Sequence, residues 1–189
     1  MPNVVVIAGA NGAGKSTLAP YLLRDTIGIL EYVNADTIAA GLSAFAPEGS
    51  AFEAGKVMLA RLNELAAQKR DFAFETTLAG KFYTSWLKKR KSEDYRFHLV
   101  FLYLRKAELA VERVKARIKS GGHSIPEAII RRRYAKGLQN FFRLYQPIAD
   151  SWRFYDASEM PLPIASGAKD SKINVVEAEL WNDLQKSNR

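Results

Sequence analysis

Residues Gly9, Ala10, Asn11, Gly12, Ala13, Gly14, Lys15, Ser16 and Thr17 spell an unbroken G-x-x-x-x-G-K-[ST] pattern directly behind the apolar run Val4–Ala8. Glycines at positions 9, 12 and 14 let backbone approach an anion closely, so that successive N–H groups converge on phosphate oxygens. Lys15 is placed to reach the β- and γ-phosphates, and the Ser16 hydroxyl to ligate Mg²⁺. The chemistry this predicts is binding of a nucleoside triphosphate, ATP with Mg²⁺, along the loop from Gly9 to Thr17.

In open α/β sheets ligands lie beyond the carboxyl ends of the strands, which singles out polar residues where a strand stops. Asp36 follows an expected strand at Ile29–Asn34, and Glu75 follows another at Phe72–Phe74. Both ends should flank the phosphate loop. A carboxylate there accepts a hydroxyl proton during phosphoryl transfer or holds a magnesium-bound water. Asp36 is the candidate catalytic and acceptor-binding residue; its rival role is N-cap of a helix from Thr37. Glu75 is a candidate for metal and substrate binding, against the rival role of a solvated strand end. Thr76 joins it as a substrate-binding candidate, although threonine after a strand is also a common turn residue.

Arginines form the second constellation. Arg113 and Arg117 precede the break Ser120-Gly121-Gly122-His123, and Arg131-Arg132-Arg133 follow it. A glycine hinge between cation-bearing helices is what a closing lid requires. A guanidinium fork pairs with two oxygens of a transferring phosphoryl group, so Arg117, Arg131 and Arg133 are candidate catalytic cations. Successive helical residues are about 100° apart, so the three consecutive arginines do not all face one ligand and at least one is solvated.

The elements that must position these groups alternate between strand and helix. After the first strand, Ser16–Arg24 reads as a helix start, residues 50–69 as a helix, 80–91 as a basic helix and Phe97–Leu104 as the strongest strand. Ala107, Ala110, Val111, Val114 and Ile118 recur at helical spacing over 106–119. Ser124-x-x-Glu127 is a capping-box signature for the next helix, whose apolar stripe is Ile130, Tyr134, Leu138, Phe141 and Tyr145. Arg153–Asp156 and Leu162–Ala165 read as short strands, and 175–186 as a terminal helix. The expectation is an α/β P-loop fold: a parallel sheet of about five to six strands flanked by helices, in a single domain over 1–189, with an arginine-rich helical lid at about 106–145.

The chain has 189 residues, 48% hydrophobic and 25% charged, which suits one globular core. It has no cysteine and two histidines, which excludes disulfides and thiolate metal sites. No apolar run approaches the ~20 residues of a membrane span, and no basic segment precedes the first apolar stretch as in a signal peptide. A cytoplasmic location with no membrane partner is expected. The net charge of +8 is uneven: residues 81–143 hold 17 of the 28 Lys/Arg and 5 of the 20 Asp/Glu, a local +12 against −4 elsewhere. Such a stretch serves a nucleic-acid surface, a lid over a polyanionic substrate, or simply solvated helix faces.

With GANGAGKST, Asn34-Ala35-Asp36, Phe74-Glu75-Thr76-Thr77 and Gly121–Glu127 leading to Arg131-Arg132-Arg133-Tyr134 in place, the chain resembles the zeta-toxin family of P-loop kinases, in particular its short bacterial members. Tyr155-Asp156 and Pro163-Ile164-Ala165 extend the match, which covers roughly residues 3–166. The resemblance implies transfer of the ATP γ-phosphate to a hydroxyl of a small-molecule acceptor, in this family a UDP-linked N-acetylated amino sugar. It carries the family's catalytic aspartate onto Asp36, and lid arginines onto Arg117 and one of Arg131 to Arg133. It also implies an antitoxin as protein partner. The chain departs from longer members by its compactness, which leaves the acceptor open. Two alternatives stand beside this reading: a kinase acting on nucleic-acid ends, and a non-catalytic ATP-binding switch that docks a protein partner.

Overall fold

The computed structural model describes residues 1–43, 47–119 and 124–188. The run at Val4–Ala8 lies within strand β1 (Asn3–Gly9), almost wholly buried because helices cover both of its faces. Around it a seven-stranded sheet has the order β2-β3-β1-β4-β5-β6-β7, with β2 at Tyr32–Val33, β3 at Phe72–Thr76, β4 at Arg96–Tyr103, β5 at Ser151–Asp156, β6 at Leu162–Ala168 and β7 at Asn174–Val175. The first five strands in that order run parallel; β6 and β7 are added antiparallel through hairpin-like returns. The sheet therefore exceeds the expected count. Val175, assigned to the terminal helix by its sequence, instead pairs with Ala165.

Helices α1 (Lys15–Ala19), α2 (Ala35–Leu42), α3 (Ala51–Ala67), α4 (Phe82–Ser92), α5 (Ala107–Lys119), α6 (Glu127–Asn140) and α7 (Ala178–Asn188) sort by face. On one face Val4, Val6, Phe72, Phe97 and Phe101 pack against α3, α4, the residues following α6, and α7, with Trp152 stacked on Trp181 at 5.2 Å. On the other face α1 lies over Val5, Ile7 and Ala73, while Ala110, Val111 and Val114 of α5 lie over Val100 and Leu102.

Local chemistry explains the departures from expectation. Helix α1 does not run uniformly to Arg24: Pro20 has no N–H to offer the carbonyl one turn back, and the chain continues as wider π-helical turns over Pro20–Thr26. Strand β2 keeps only two of the residues expected at 29–34. The capping box before α6 does not form. The helix begins two residues later than expected, so Pro126 and not Ser124 occupies the N-cap, with no side-chain cap hydrogen bond. The break Ser120–His123, and with it the expected hinge, lies outside the described residues.

One contact fixes α6 against the sheet. A Cβ on Gly137 would lie 2.2 Å from the Thr77 carbonyl oxygen, so only glycine lets this helix rest on the loop after β3. Asn140 Nδ2 donates to the Leu78 carbonyl at 2.7 Å, and Tyr145 hydroxyl to that of Gly80 at 2.7 Å. Gly137→Ala is expected to cost about 1–3 kcal/mol through forced displacement of the helix. The urea midpoint measures this, and an unshifted midpoint would show that α6 can move away without loss.

Candidate active site

The loop Gly9–Thr17 leaves β1 at its carboxyl end and enters α1 through left-handed Gly14 (φ 85°). Gly9 (φ 146°) and Gly12 (φ 79°) also adopt conformations that side chains resist. A Cβ on Gly9 would lie 2.4 Å from the Leu102 carbonyl oxygen, whereas Gly14 has open space on its Cβ side. The loop is thus clamped against β4 at one end and accessible at the other. Arg113 of α5 clamps its middle: the guanidinium donates to the carbonyls of Gly12 (3.3 Å), Ala157 (2.9 Å) and Ser158 (2.5 Å). That places Arg113 as a tie between the phosphate loop and the β5–β6 turn, not as a cation aimed at a ligand.

Lys15 is buried, and its ammonium donates to the carbonyls of Gly9 (3.1 Å) and Ala10 (3.0 Å). Burial holds its pKa below the usual lysine value; Glu75 and Asp36 oppose that shift, and Arg117 and Arg133 add to it. Four of the residues singled out in the sequence therefore surround Lys15 closely enough to act on its charge.

Glu75 sits inside the end of β3 and not beyond it, on the face that carries α1. Its Oε2 accepts from Ser16 Oγ at 2.9 Å and from the Tyr32 hydroxyl at 2.5 Å. Tyr32, whose pKa burial and the Glu75 carboxylate both push upward, was missed by sequence reasoning. Only the β2–β3 register, Tyr32 opposite Ala73, brings it to Glu75, and no local signal in the sequence encodes that register.

Asp36 is not the N-cap. Asn34 takes that role, its Oδ1 accepting from the N–H groups of Asp36 (2.7 Å) and Thr37 (3.3 Å). The Asp36 side chain is left exposed in the first turn of α2, where it borders two clefts. One, of about 240 Å³, runs along the phosphate loop past Gly14, Ser16 and Thr17 to Arg113 and Arg117. The other, of about 180 Å³, passes Asn34, Thr76, Thr77, Tyr83 and Arg133. Lys15, Asp36, Glu75 and Asn11 line both.

The three consecutive arginines diverge as helical geometry requires. Arg133 points to the loop and donates to Asn11 Oδ1 at 3.3 Å; burial lowers its pKa, with Asp36 opposing. Arg131 is turned away, paired with Glu108 (2.6 Å) and Glu127 (2.9 Å) on the exposed side of α5 and α6. It lines neither cleft, so the expectation that it joins the phosphate-facing cations is corrected here. Arg132 lines a third and larger cavity of about 770 Å³, which shares Thr77 and Arg133 with the second cleft.

The fit to ATP and Mg²⁺ rests on these donors. Open space beside Gly14 and the clamped loop suit a phosphate chain. The Ser16 hydroxyl and Glu75 carboxylate offer hard oxygens to Mg²⁺. Among the described residues no group of three or more His, Cys, Asp or Glu could cage a metal alone.

A phosphate loop between a central parallel strand and a helix, with a carboxylate at the end of the neighbouring strand β3, defines an α/β P-loop fold. The chain belongs to one family with an uncharacterized protein of Haemophilus influenzae, to which it is 32% identical over 130 residues, 69% of this chain and 91% of that one. No protein-family model matches. Among solved structures, the AvrRxo1-ORF1:AvrRxo1-ORF2 complex with sulphate ions superposes with a TM-score of 0.78 at 16% identity. The match covers 98% of this chain, which thus spans 64% of that chain's length. The same complex with ATP gives a TM-score of 0.75 at 16% identity, with the same coverage of 98% and 64%. The PezAT chromosomal toxin–antitoxin system of Streptococcus pneumoniae gives 0.69 at 15% identity, over 100% of this chain and 78% of that one. No helix among the described residues is long and apolar enough to cross a membrane.

Proposed function

We infer that the protein is a kinase that moves the γ-phosphate of ATP to a hydroxyl of a small molecule. The observation that carries this reading is the pair of clefts meeting at Lys15, Asp36 and Glu75, one along the phosphate loop and one away from it. The first suits the triphosphate and the second the acceptor. Lys15 and the loop amides hold the phosphates. Ser16 and Glu75 hold Mg²⁺, which when bound neutralises phosphate charge. Asp36 takes the acceptor's hydroxyl proton as its oxygen bonds to the γ-phosphorus and the bond to the β–γ bridging oxygen breaks, releasing ADP. Arg117 on the triphosphate side and Arg133 on the acceptor side stabilise the charge spread over the transferring group.

The third cavity supports a phosphorylated acceptor. Lys81, Arg132, Arg133, Lys136 and Arg143 line it, and among the described residues no Asp or Glu does. A UDP-linked N-acetylated amino sugar, the acceptor implied by the zeta-toxin resemblance, has the size and charge to occupy it. The two-component neighbours support a protein partner of antitoxin type. The same basic cavity favours one other reading, a kinase of nucleic-acid ends. Incubation with γ-labelled ATP and a panel of sugar nucleotides, nucleosides and oligonucleotides separates them. Label on a UDP-amino sugar is the expected result. Label confined to oligonucleotides, with binding that weakens steeply in salt, would move the assignment to the second reading; no transfer to any acceptor would overturn the kinase reading.

A further inference from the structure

A further cavity, of about 290 Å³, lies at the amino ends of β1, β4 and β5, the opposite end of the sheet from the phosphate loop. Its origin is topological. Trp152 and Phe154 of β5 bury against the α7 face, so Ser151 and Arg153, alternating with them, are directed to the other. The chain returns from β5 as the antiparallel strand β6, not through a crossover helix, and the cavity opens between these residues and the π-helical segment.

Its walls are apolar, from Leu22, Ile29, Val5 and Val100, and its polar end is ordered by one chain of hydrogen bonds. Asn3 donates to Asp71 through its backbone N–H (2.6 Å) and side-chain Nδ2 (3.1 Å), which turns its Oδ1 toward His98 Nε2 at 3.1 Å. Nε2 therefore carries the ring proton, and Nδ1 accepts from the Ser151 hydroxyl at 2.8 Å. Burial favours this neutral ring; Asp150 and Asp71 oppose the shift, and Arg96 and Arg153 reinforce it. The carboxylate, amide, imidazole and hydroxyl at this end thus satisfy one another. Arg153 is different: it lines the cavity, its charge acts on the His98 ring, and it makes no ion pair among the described residues.

We propose that this cavity is a second ligand site for a small monocarboxylate with a short apolar body. The carboxylate pairs with Arg153, and the body lies over Val5, Val100, Leu22 and Ile29. Among the described lining residues a cation finds one carboxylate, Asp71, already accepting two N–H groups. A polyphosphate finds one guanidinium among mostly apolar walls. The volume falls near the ~300 Å³ lower end of small-molecule pockets, which sets the size of the ligand. This proposal stands apart from the phosphotransferase reading.

The test uses sodium hexanoate as probe and the imidazole nitrogens of the full chain as readout, since the protein has two histidines and His98→Gln assigns the signal. A saturable shift of the His98 ring is expected, unchanged by ATP with Mg²⁺ at the far end of the sheet. Arg153→Met should weaken the apparent affinity at least about tenfold, as loss of a charge-assisted pair does. Hexan-1-ol should bind weaker by a similar factor. Arg153 is exposed, so its truncation leaves the core intact, and Arg153→Gln repeats the test with a polar replacement. Absence of a saturable shift, equal responses to hexanoate and hexanol, an equal response to inorganic phosphate, or an unchanged response in both variants would each overturn the proposal.

Discussion

Lys15→Ala is expected to reduce ATP turnover by at least about a thousandfold, or ~4 kcal/mol of transition-state stabilisation, measured as kcat/KM in a coupled ADP-release assay. Among the described residues Lys15 is the lysine that lines both clefts, while Arg117 lines the one along the phosphate loop and Arg133 the other. Turnover within tenfold of the wild type would remove Lys15 from the mechanism. The same side chain carries a stability cost, because burial holds its pKa below that of the unfolded chain. Between the two values the unfolded state binds the extra proton, so wild-type stability rises with pH through that window, which ends near the ordinary lysine value of 10.5. Lys15→Met, which keeps the stem and drops the charge, is therefore expected to unfold at a higher temperature near neutral pH and to lose that rise. A lower melting temperature would show that the hydrogen bonds to Gly9 and Ala10 outweigh desolvation.

Asp36→Asn is expected to lower phosphoryl transfer by about 10²–10⁴-fold, the range of a lost general base, while leaving ATP affinity within a few-fold of the wild type. The two effects separate because Asp36, although it borders both clefts, makes no hydrogen bond to the loop among the described residues, and because Asn34 caps α2 independently of its neighbour's charge. Titration of a fluorescent ATP analogue and a single-turnover transfer assay read the two quantities. Full transfer by the variant would sink the base assignment. Loss of nucleotide affinity would instead make Asp36 a ligand of the nucleotide site.

The phosphate loop and the alternation of elements were legible because each is a local pattern. The run Val4–Ala8 is apolar at every position, as a strand covered on both faces must be, and the glycines at 9, 12 and 14 stand where φ is positive or a neighbour intrudes. Asp36 and Glu75 were legible as candidates because strand ends can be estimated from the same pattern. Their partners were not. Asn34 displaced Asp36 as cap because a cap depends on where the helix begins to within one residue, and boundaries are the least determined feature of a sequence. Arg131 and Arg133 look alike in the chain, yet two residues along a helix turn them about 200° apart, one to Glu108 and Glu127, the other to Asn11.

By itself, the sequence determined that a phosphate-binding loop joins a buried strand to a helix, and that cations concentrate between residues 81 and 143. Periodicity and composition are properties of neighbours along the chain, so they survive without a fold. The tertiary structure decided which carboxylate meets Ser16, that Tyr32 anchors it, which arginine faces the loop, and that an apolar cavity opens at the far end of the sheet. These depend on strand register and helix rotation, where a shift of one residue carries a side chain to the opposite face.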